Sequence, residues 1–288
     1  MVLAAATLWG SSGLFINLIA ETGLTGSQIT ALRLVMVPIM VLVFLLITDR
    51  SKLRIQRKDL GWMVLNGIIG IFVFNLCYTY AIQWTGMATA AVLLYLMPSL
   101  VMLFSVLFLG ERFTLRKGLC LALSLLGCGL VSGLAEGFTA NLPGLALGLL
   151  AAVCYTFYNI LVATKLKRYS SFTNVLYPFA FAAVCCWLYV LLRGEIPGIL
   201  AIAASDIRCL PLCAALALCC SVLSYWLYNS AVKRIPPSRA SIIATFEPVA
   251  AALLGLVFLH QKLSVFAVVG ICCELLALVL LNLPEKRR

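Results

Sequence analysis

Charge is scarce in this chain of 288 residues: only 11% of positions are Asp, Glu, Lys or Arg, and there is one histidine, against 64% apolar residues. Soluble domains carry roughly a quarter charged and about half apolar residues, so a water-soluble globule is excluded. No aspartate falls inside a long apolar run, and no His, Asp and Cys gather as an interfacial membrane enzyme would need. A phosphate loop of the form G-x-x-x-x-G-K-[ST] is also missing, so nucleotide-driven pumping would need another subunit. The twelve cysteines show neither zinc spacing nor a disulfide framework, and Cys209 and Cys213, one turn apart, are expected to pack. No metal or cofactor is expected. The net charge of +11 would suggest nucleic acid in a soluble protein, but the placement of the charges argues otherwise.

Long apolar runs dominate what remains, near 2–20, 28–48, 60–83, 87–109, 116–134, 143–163, 174–192, 210–231, 240–259 and 264–283. A membrane helix needs about 20 such residues. Barrel strands would be half that length with a period of two, and in hydrocarbon a helix satisfies its own backbone. The prediction is an all-α integral membrane protein of ten helices, with no room for a soluble domain. If the N-terminus is cytoplasmic, seventeen of the 21 basic residues fall on the inner side: Arg50, Lys52, Arg54, Arg57, Lys58, Arg112, Arg116, Lys117, Lys165, Lys167, Arg168, Lys233, Arg234, Arg239, Lys286, Arg287 and Arg288. Arg193, Arg208 and Lys262 fall outside, and Arg33 lies within the second run. That asymmetry sets orientation, with both termini cytoplasmic in the inner membrane. The basic residues then face anionic lipid, not nucleic acid. No Lys or Arg precedes the first run, so it is expected to stay as helix one instead of being cleaved as a signal.

Sliding the second half over the first by 150 residues aligns Tyr78 with Tyr228, Ala81 with Ala231, Ala90 with Ala240, Pro98 with Pro248, Leu103 with Leu253, and Phe108–Leu109 with Phe258–Leu259. Two repeats are expected, 1–140 and 141–288. An odd helix count makes the second copy enter the membrane from the opposite side. Inverted repeats of this kind open alternately to each side around a midplane site.

Several short elements carry a family likeness: Trp9–Gly10–Ser11–Ser12, Ala31–Leu32–Arg33–Leu34, Tyr95–Leu96–Met97–Pro98, Leu109–Gly110–Glu111–Arg112 and Phe246–Glu247–Pro248–Val249. In order and spacing the chain resembles the EamA-type members of the drug/metabolite transporter superfamily over nearly its whole length. The resemblance implies a central cavity built from helices one to four and six to nine, with helices five and ten outside it, and movement of small organic solutes, often outward. Asn17, where family sequences often carry lysine, and His260–Gln261–Lys262, where they repeat Gly-Glu-Arg, depart from that pattern.

Among candidate site residues, Glu247 is deep in the ninth run and precedes Pro248, which frees the carbonyl of residue 244. Intramembrane ionisable groups are usually cavity-facing and functional, so Glu247 is the candidate proton site or counter-charge for an ammonium group; a neutral carboxyl tying helices together is the competing role. Pro98 and Pro248 are candidate hinges. Glu274 is expected to be structural. Arg33 can meet a substrate carboxylate or snorkel to the interface, Glu111–Arg112 is expected to anchor at the interface, and His260 is assigned no chemistry.

Polar and aromatic residues recur at helical spacing: Asn75, Tyr78 and Thr79 on one face, Tyr155, Tyr158 and Asn159 on a second, Tyr225, Tyr228 and Asn229 on a third. With Trp9, Ser11 and Tyr95 they can ring a chamber for a small neutral, zwitterionic or cationic solute, although amides and hydroxyls also join helices in lipid. Gly144 and Gly148 mark close helix approach, and Gly129 and Gly133 a possible homodimer seam. The function expected is a secondary transporter, not an enzyme, moving amino acid or amine-like solutes, as an exporter. The alternative is an integral-membrane enzyme acting on a lipid or isoprenoid.

Overall fold

The computed structural model describes residues 1–133, 141–258 and 264–283; His260, Lys262 and the terminal Lys286, Arg287 and Arg288 lie outside them. Among the described residues the chain is all helical, without strands. We number the helices α1 (Val2–Ala20), α2 (Gly26–Thr48), α3 (Arg57–Met87), α4 (Thr89–Phe108), α5 (Leu115–Val131), α6 (Leu142–Ala163), α7 (Thr173–Leu192), α8 (Ile196–Ser205), α9 (Cys209–Val232), α10 (Pro237–Phe258) and α11 (Val265–Asn282). All but α5 and α8 are long and apolar enough to cross a bilayer, which makes this a multi-pass membrane protein. The 17 residues of α5 rise about 25 Å. The ten-residue α8 is not among the ten expected runs because it is too short to register as a span.

Local chemistry sets the helix ends. Thr25 and Gln28 form a reciprocal capping box at the start of α2, and Thr114, Asn141 and Ser264 accept the N–H three residues on at α5, α6 and α11. Gly86, at φ 81° and ψ 161°, breaks the chain between α3 and α4 in a conformation a side chain would strain.

Besides α1, interrupted at Ser11, four spans are irregular at matched positions. The π turns Ile68–Val73 in α3 and Leu218–Leu223 in α9 stand 150 residues apart, end to end. So do the interruptions of α4 at Tyr95–Leu96 and of α10 at Thr245–Phe246. Pro98 and Pro248 each follow such an interruption as the second residue of the resumed helix, where the missing N–H has no intrahelical acceptor to serve. The proline pair therefore marks helix restarts, not mid-helix kinks.

Packing follows the same offset. α1 packs on α9 and α10; α6 packs on α3 and α4; α2 crosses α7, and α5 runs along α11. Glycine lets the backbones meet. A Cβ on Gly127 would lie 2.8 Å from the Gly270 carbonyl, and one on Gly270 2.7 Å from the Gly127 carbonyl. The expected close approach at Gly144 and Gly148 is present: a Cβ there would stand 2.5 Å from Thr85 Cγ2 and from Leu93 Cδ1 respectively. Cys209 and Cys213 are wholly buried, as packing residues should be.

Candidate functional site

Two ends of the bundle differ. One gathers the basic clusters that follow α2, α4, α6 and α9, and there side chains tie neighbouring helices together. Asp59 of α3 accepts from the Tyr169 hydroxyl and pairs with Arg168. Glu111, beyond α4, accepts from Lys117 Nζ at 3.0 Å and from the Ser238 hydroxyl of α10. The Lys233 ammonium donates to the Tyr169 carbonyl, and burial pushes it below the usual lysine range. Between α7 and α9, Ser230 donates to Ser171 at 2.8 Å, and Trp226 stacks on Phe172 with ring centres 5.4 Å apart. Glu111 is thus a tie between helices and not only an interfacial anchor.

The opposite end is open. A cleft of about 570 Å³ lies between α2, α3 and α7, lined by Thr30, Asn75, Thr79, Tyr80, Tyr189 and Glu195 among others. At its rim the Ser27 hydroxyl donates to Glu195 at 2.6 Å, and the Tyr80 and Tyr189 hydroxyls meet at 2.7 Å. The position 150 residues beyond Tyr80 is Ser230. The seam between α2, α3 and α7 is therefore open at one end, while its counterpart between α7, α9 and α2 is filled at the other.

Asn75 forms the floor of the cleft. Its side-chain carbonyl accepts from Arg33 Nη2 at 2.7 Å, and its amide donates to the Ile71 carbonyl within the π turn at 2.7 Å. A π turn leaves carbonyls without their i+4 donors, and here a side-chain amide supplies one. Arg33 faces inward, away from the interface, and its Nε is buried with no partner among the described residues.

Beneath this floor lies an aromatic cluster. Trp9 meets Tyr155, Tyr225 and Tyr228 at centroid distances of 6.4, 5.3 and 5.3 Å; Tyr158 meets Tyr155 and Tyr225 at 6.1 and 5.4 Å; Phe74 stacks on Tyr78 and Tyr155 at 6.1 and 5.0 Å. The rings fill the space between α1, α3, α6 and α9, so they form a packed plug where the spacing predicts the wall of an open chamber. The polar tips are only partly satisfied. Tyr158 donates to Asn229 Oδ1 at 3.0 Å and Asn159 Nδ2 to the Tyr155 carbonyl at 2.7 Å, while Tyr228 Oη, Asn229 Nδ2 and Asn159 Oδ1 find no partner among the described residues. Ser11, at the interruption of α1, donates to the Leu8 carbonyl at 2.8 Å and lies 3.5 Å from Cys220 Sγ.

Glu247 begins the resumed half of α10 and is partly accessible. Tyr78, Tyr95, Tyr155 and Tyr225 lie within its electrostatic range, and Tyr225 lies within that of Arg33 too. Tyr225 and Cys220 of α9 are thus both near Arg33 of α2 and Glu247 of α10.

Of the residues singled out by sequence, Asn75 and Thr79 line the cleft. Trp9, Tyr78, Tyr155, Tyr158, Tyr225 and Tyr228 form the plug with Asn159 and Asn229 at its tips, and Ser11, Tyr95 and Glu247 border it. Thr30, Tyr80, Tyr189 and Glu195 escaped sequence reasoning. Tyr80 is two residues past Tyr78 and so off the face that periodicity selects, and Glu195 sits in a loop whose only signal was charge. Among the described residues no group of His, Cys, Asp and Glu is placed to hold a metal.

Known proteins share this architecture. A solved crystal structure superposes with a TM-score of 0.80 at 21% identity, over 98% of this chain and 95% of its own, a likeness of fold. The uncharacterized inner membrane transporter YicL of Salmonella typhimurium is 24% identical, across 100% of this chain and 95% of its own. An uncharacterized transporter of Archaeoglobus fulgidus is 27% identical over 93% and 90% of the two chains. The pseudopaline exporter CntI of Pseudomonas aeruginosa is 27% identical over half of each. The model of the EamA-like transporter family matches residues 1–133 and 142–283. With nine helices among the described residues long and apolar enough to cross a membrane, and that match along nearly its full length, the chain belongs to the EamA-like transporter family.

Proposed function

We propose that this chain is a secondary transporter that moves a small zwitterionic or amine-bearing organic solute across the cytoplasmic membrane by alternating access, in the outward direction. α5 completes a set of ten membrane helices in two inverted repeats, 1–140 and 141–288, with both termini in the cytoplasm. Irregular turns recurring at one offset support this reading, as does the crossed packing of the halves. The observation that carries it is the unequal pair of seams: the one between α2, α3 and α7 is open, while its counterpart between α7, α9 and α2 is sealed by Ser171–Ser230 and Phe172–Trp226. Exchanging those two states would carry the plug residues from one side to the other. Arg33 offers a fork for a carboxylate, Glu247 a counter-charge for an ammonium, and Tyr225 sits between them. Asn75 and Thr79 hand the solute between cleft and plug, and Trp9, Tyr78, Tyr155, Tyr158 and Tyr228 supply cation–π faces. A multiply anionic solute would meet only one guanidinium there.

Purified protein in proteoliposomes, loaded in turn with amino acids, polyamines and sugars, tests this. The reading expects saturable uptake of a zwitterion or amine that accelerates when the same solute fills the opposite compartment. Linear flux without counterflow would remove the carrier mechanism.

A further inference from the structure

Glu274 lies in the middle of α11 and is completely buried. No Lys, Arg or His among the described residues pairs with it. Its carboxyl instead meets three groups with one proton each, those of Cys128, Thr245 and Ser124. Cys128 Sγ of α5 donates to Oε1 at 2.9 Å, and Thr245 Oγ1 is 3.3 Å from Oε2. Thr245 is the first residue of the interruption in α10, two positions before Glu247.

The hydrogen inventory makes this junction two-state. At the interruption the Phe246 N–H turns to the Ile243 carbonyl at 3.3 Å, so the Ile242 carbonyl has lost its ordinary i+4 donor. It keeps the Thr245 N–H at 3.3 Å and the Thr245 hydroxyl. A hydroxyl has one proton to give. When Glu274 is neutral, its own O–H donates to Thr245 Oγ1 and the Thr245 proton serves Ile242, so the carboxyl, the Thr245 hydroxyl and the Ile242 carbonyl are matched. When Glu274 is ionised it has nothing to donate and can only accept, so the Thr245 proton must turn toward Oε2 and release the Ile242 carbonyl.

We propose that Glu274 is a proton-operated latch on the interruption of α10: binding a proton at its carboxyl closes the hydrogen bond between Thr245 and Ile242, and losing the proton opens it. The titratable groups facing it are Cys128 from α5, Tyr95 from the interruption of α4, and Glu247 from α10. Arg116 and Arg239 meet the far end of α11, at Leu283 and Asn282. Glu274 is a positioning residue, because it touches the hinge and not the plug. The buried Ser124 hydroxyl also faces it, one turn before Cys128. The Gly127–Gly270 contact brings α5 close enough for Cys128 to reach the carboxyl.

The test uses the full-length protein in detergent micelles and no solute, so its outcome is independent of whether transport is ever found. Infrared difference spectra across pH 5 to 9 should show a carboxylic C=O band that titrates and is missing in Glu274→Gln. Over the same titration, amide exchange of residues 242–249, corrected for its intrinsic pH dependence, should accelerate about fivefold, the loss of roughly one hydrogen bond's protection. Glu274→Gln, which keeps a donor at that position, should hold exchange at the low-pH rate. Thr245→Val should leave the carboxyl band titrating while exchange no longer follows it, which keeps the test alive if the first variant misfolds. A band that does not titrate in that range, or exchange that follows pH equally in Thr245→Val, would overturn the latch.

Discussion

Gly10 presses directly on the backbone of Glu247: a Cβ at residue 10 would stand 2.7 Å from the Glu247 carbonyl oxygen and 2.8 Å from the Ala251 nitrogen. Residue 10 lies between Trp9, which anchors the plug, and Ser11, where α1 is interrupted. The contact fixes the carboxylate-bearing turn of α10 against the aromatic cluster.

Gly10→Val should therefore part α1 from α10. Overpacking costs about 1–3 kcal/mol, so the melting temperature in detergent should fall by several degrees and transport should be lost. A variant with unchanged melting and flux would show that the two helices yield at this point.

Glu247→Gln keeps the side chain's shape and removes its ability to ionise. If Glu247 balances an ammonium or carries a proton, the variant's flux should be flat across pH 5 to 8 where the wild type varies. Identical pH profiles would leave the residue a purely structural part.

Arg33→Gln leaves a donor for Asn75 but no fixed positive charge. Charge-assisted hydrogen bonds contribute about 1.5–3 kcal/mol, so KM for a zwitterionic solute should rise at least about tenfold with kcat less affected. An amine lacking a carboxylate should be transported almost as before; an equal loss for both solutes would place Arg33 in packing alone.

Trp226→Ala removes the ring that stacks on Phe172 in the sealed seam. Aromatic pairs contribute about 0.5–1.5 kcal/mol beyond their burial. The population open at the basic end should rise accordingly, by roughly three- to tenfold, read as faster thiol labelling of a cysteine placed at Ala163. Labelling at the wild-type rate would mean that the stack does not hold the seam.

Lys165→Cys, in a cysteine-depleted background, should resist a membrane-impermeant thiol reagent added to intact cells and react after lysis. Labelling from the periplasm would reverse the proposed orientation.

The helices were legible because burial in lipid imposes long apolar runs that composition alone reveals, and the offset of 150 was legible because Tyr78–Tyr228 and Pro98–Pro248 are costly residues to repeat by accident. The prolines pointed to the right turns of α4 and α10, yet not to the two-residue gaps before them, since the breaks fall at Tyr95–Leu96 and Thr245–Phe246, ordinary residues for a helix. Periodicity grouped Tyr155, Tyr158 and Asn159 on one face of a helix. It had no means of telling a chamber wall from a plug, because that depends on how far α1 stands from α9. The inward turn of Arg33 depends on Asn75, 42 residues away, and the burial of Glu274 depends on two glycines that let α5 and α11 touch.

The two π turns set the azimuth of everything that follows them. Each inserts one residue into a turn, advancing the downstream helix by about 100° relative to an uninterrupted one, and each ends two residues before a plug or floor residue, at Asn75 in α3 and Tyr225 in α9. Without the extra residue, Asn75 and Thr79 would swing away from the cleft and Tyr225 and Asn229 away from Trp9, toward the surrounding acyl chains. The widened turns thus act as a phase correction, and an insertion or deletion anywhere between residue 68 and residue 75, or between 218 and 225, would misdirect a whole binding face without altering a single one of its side chains.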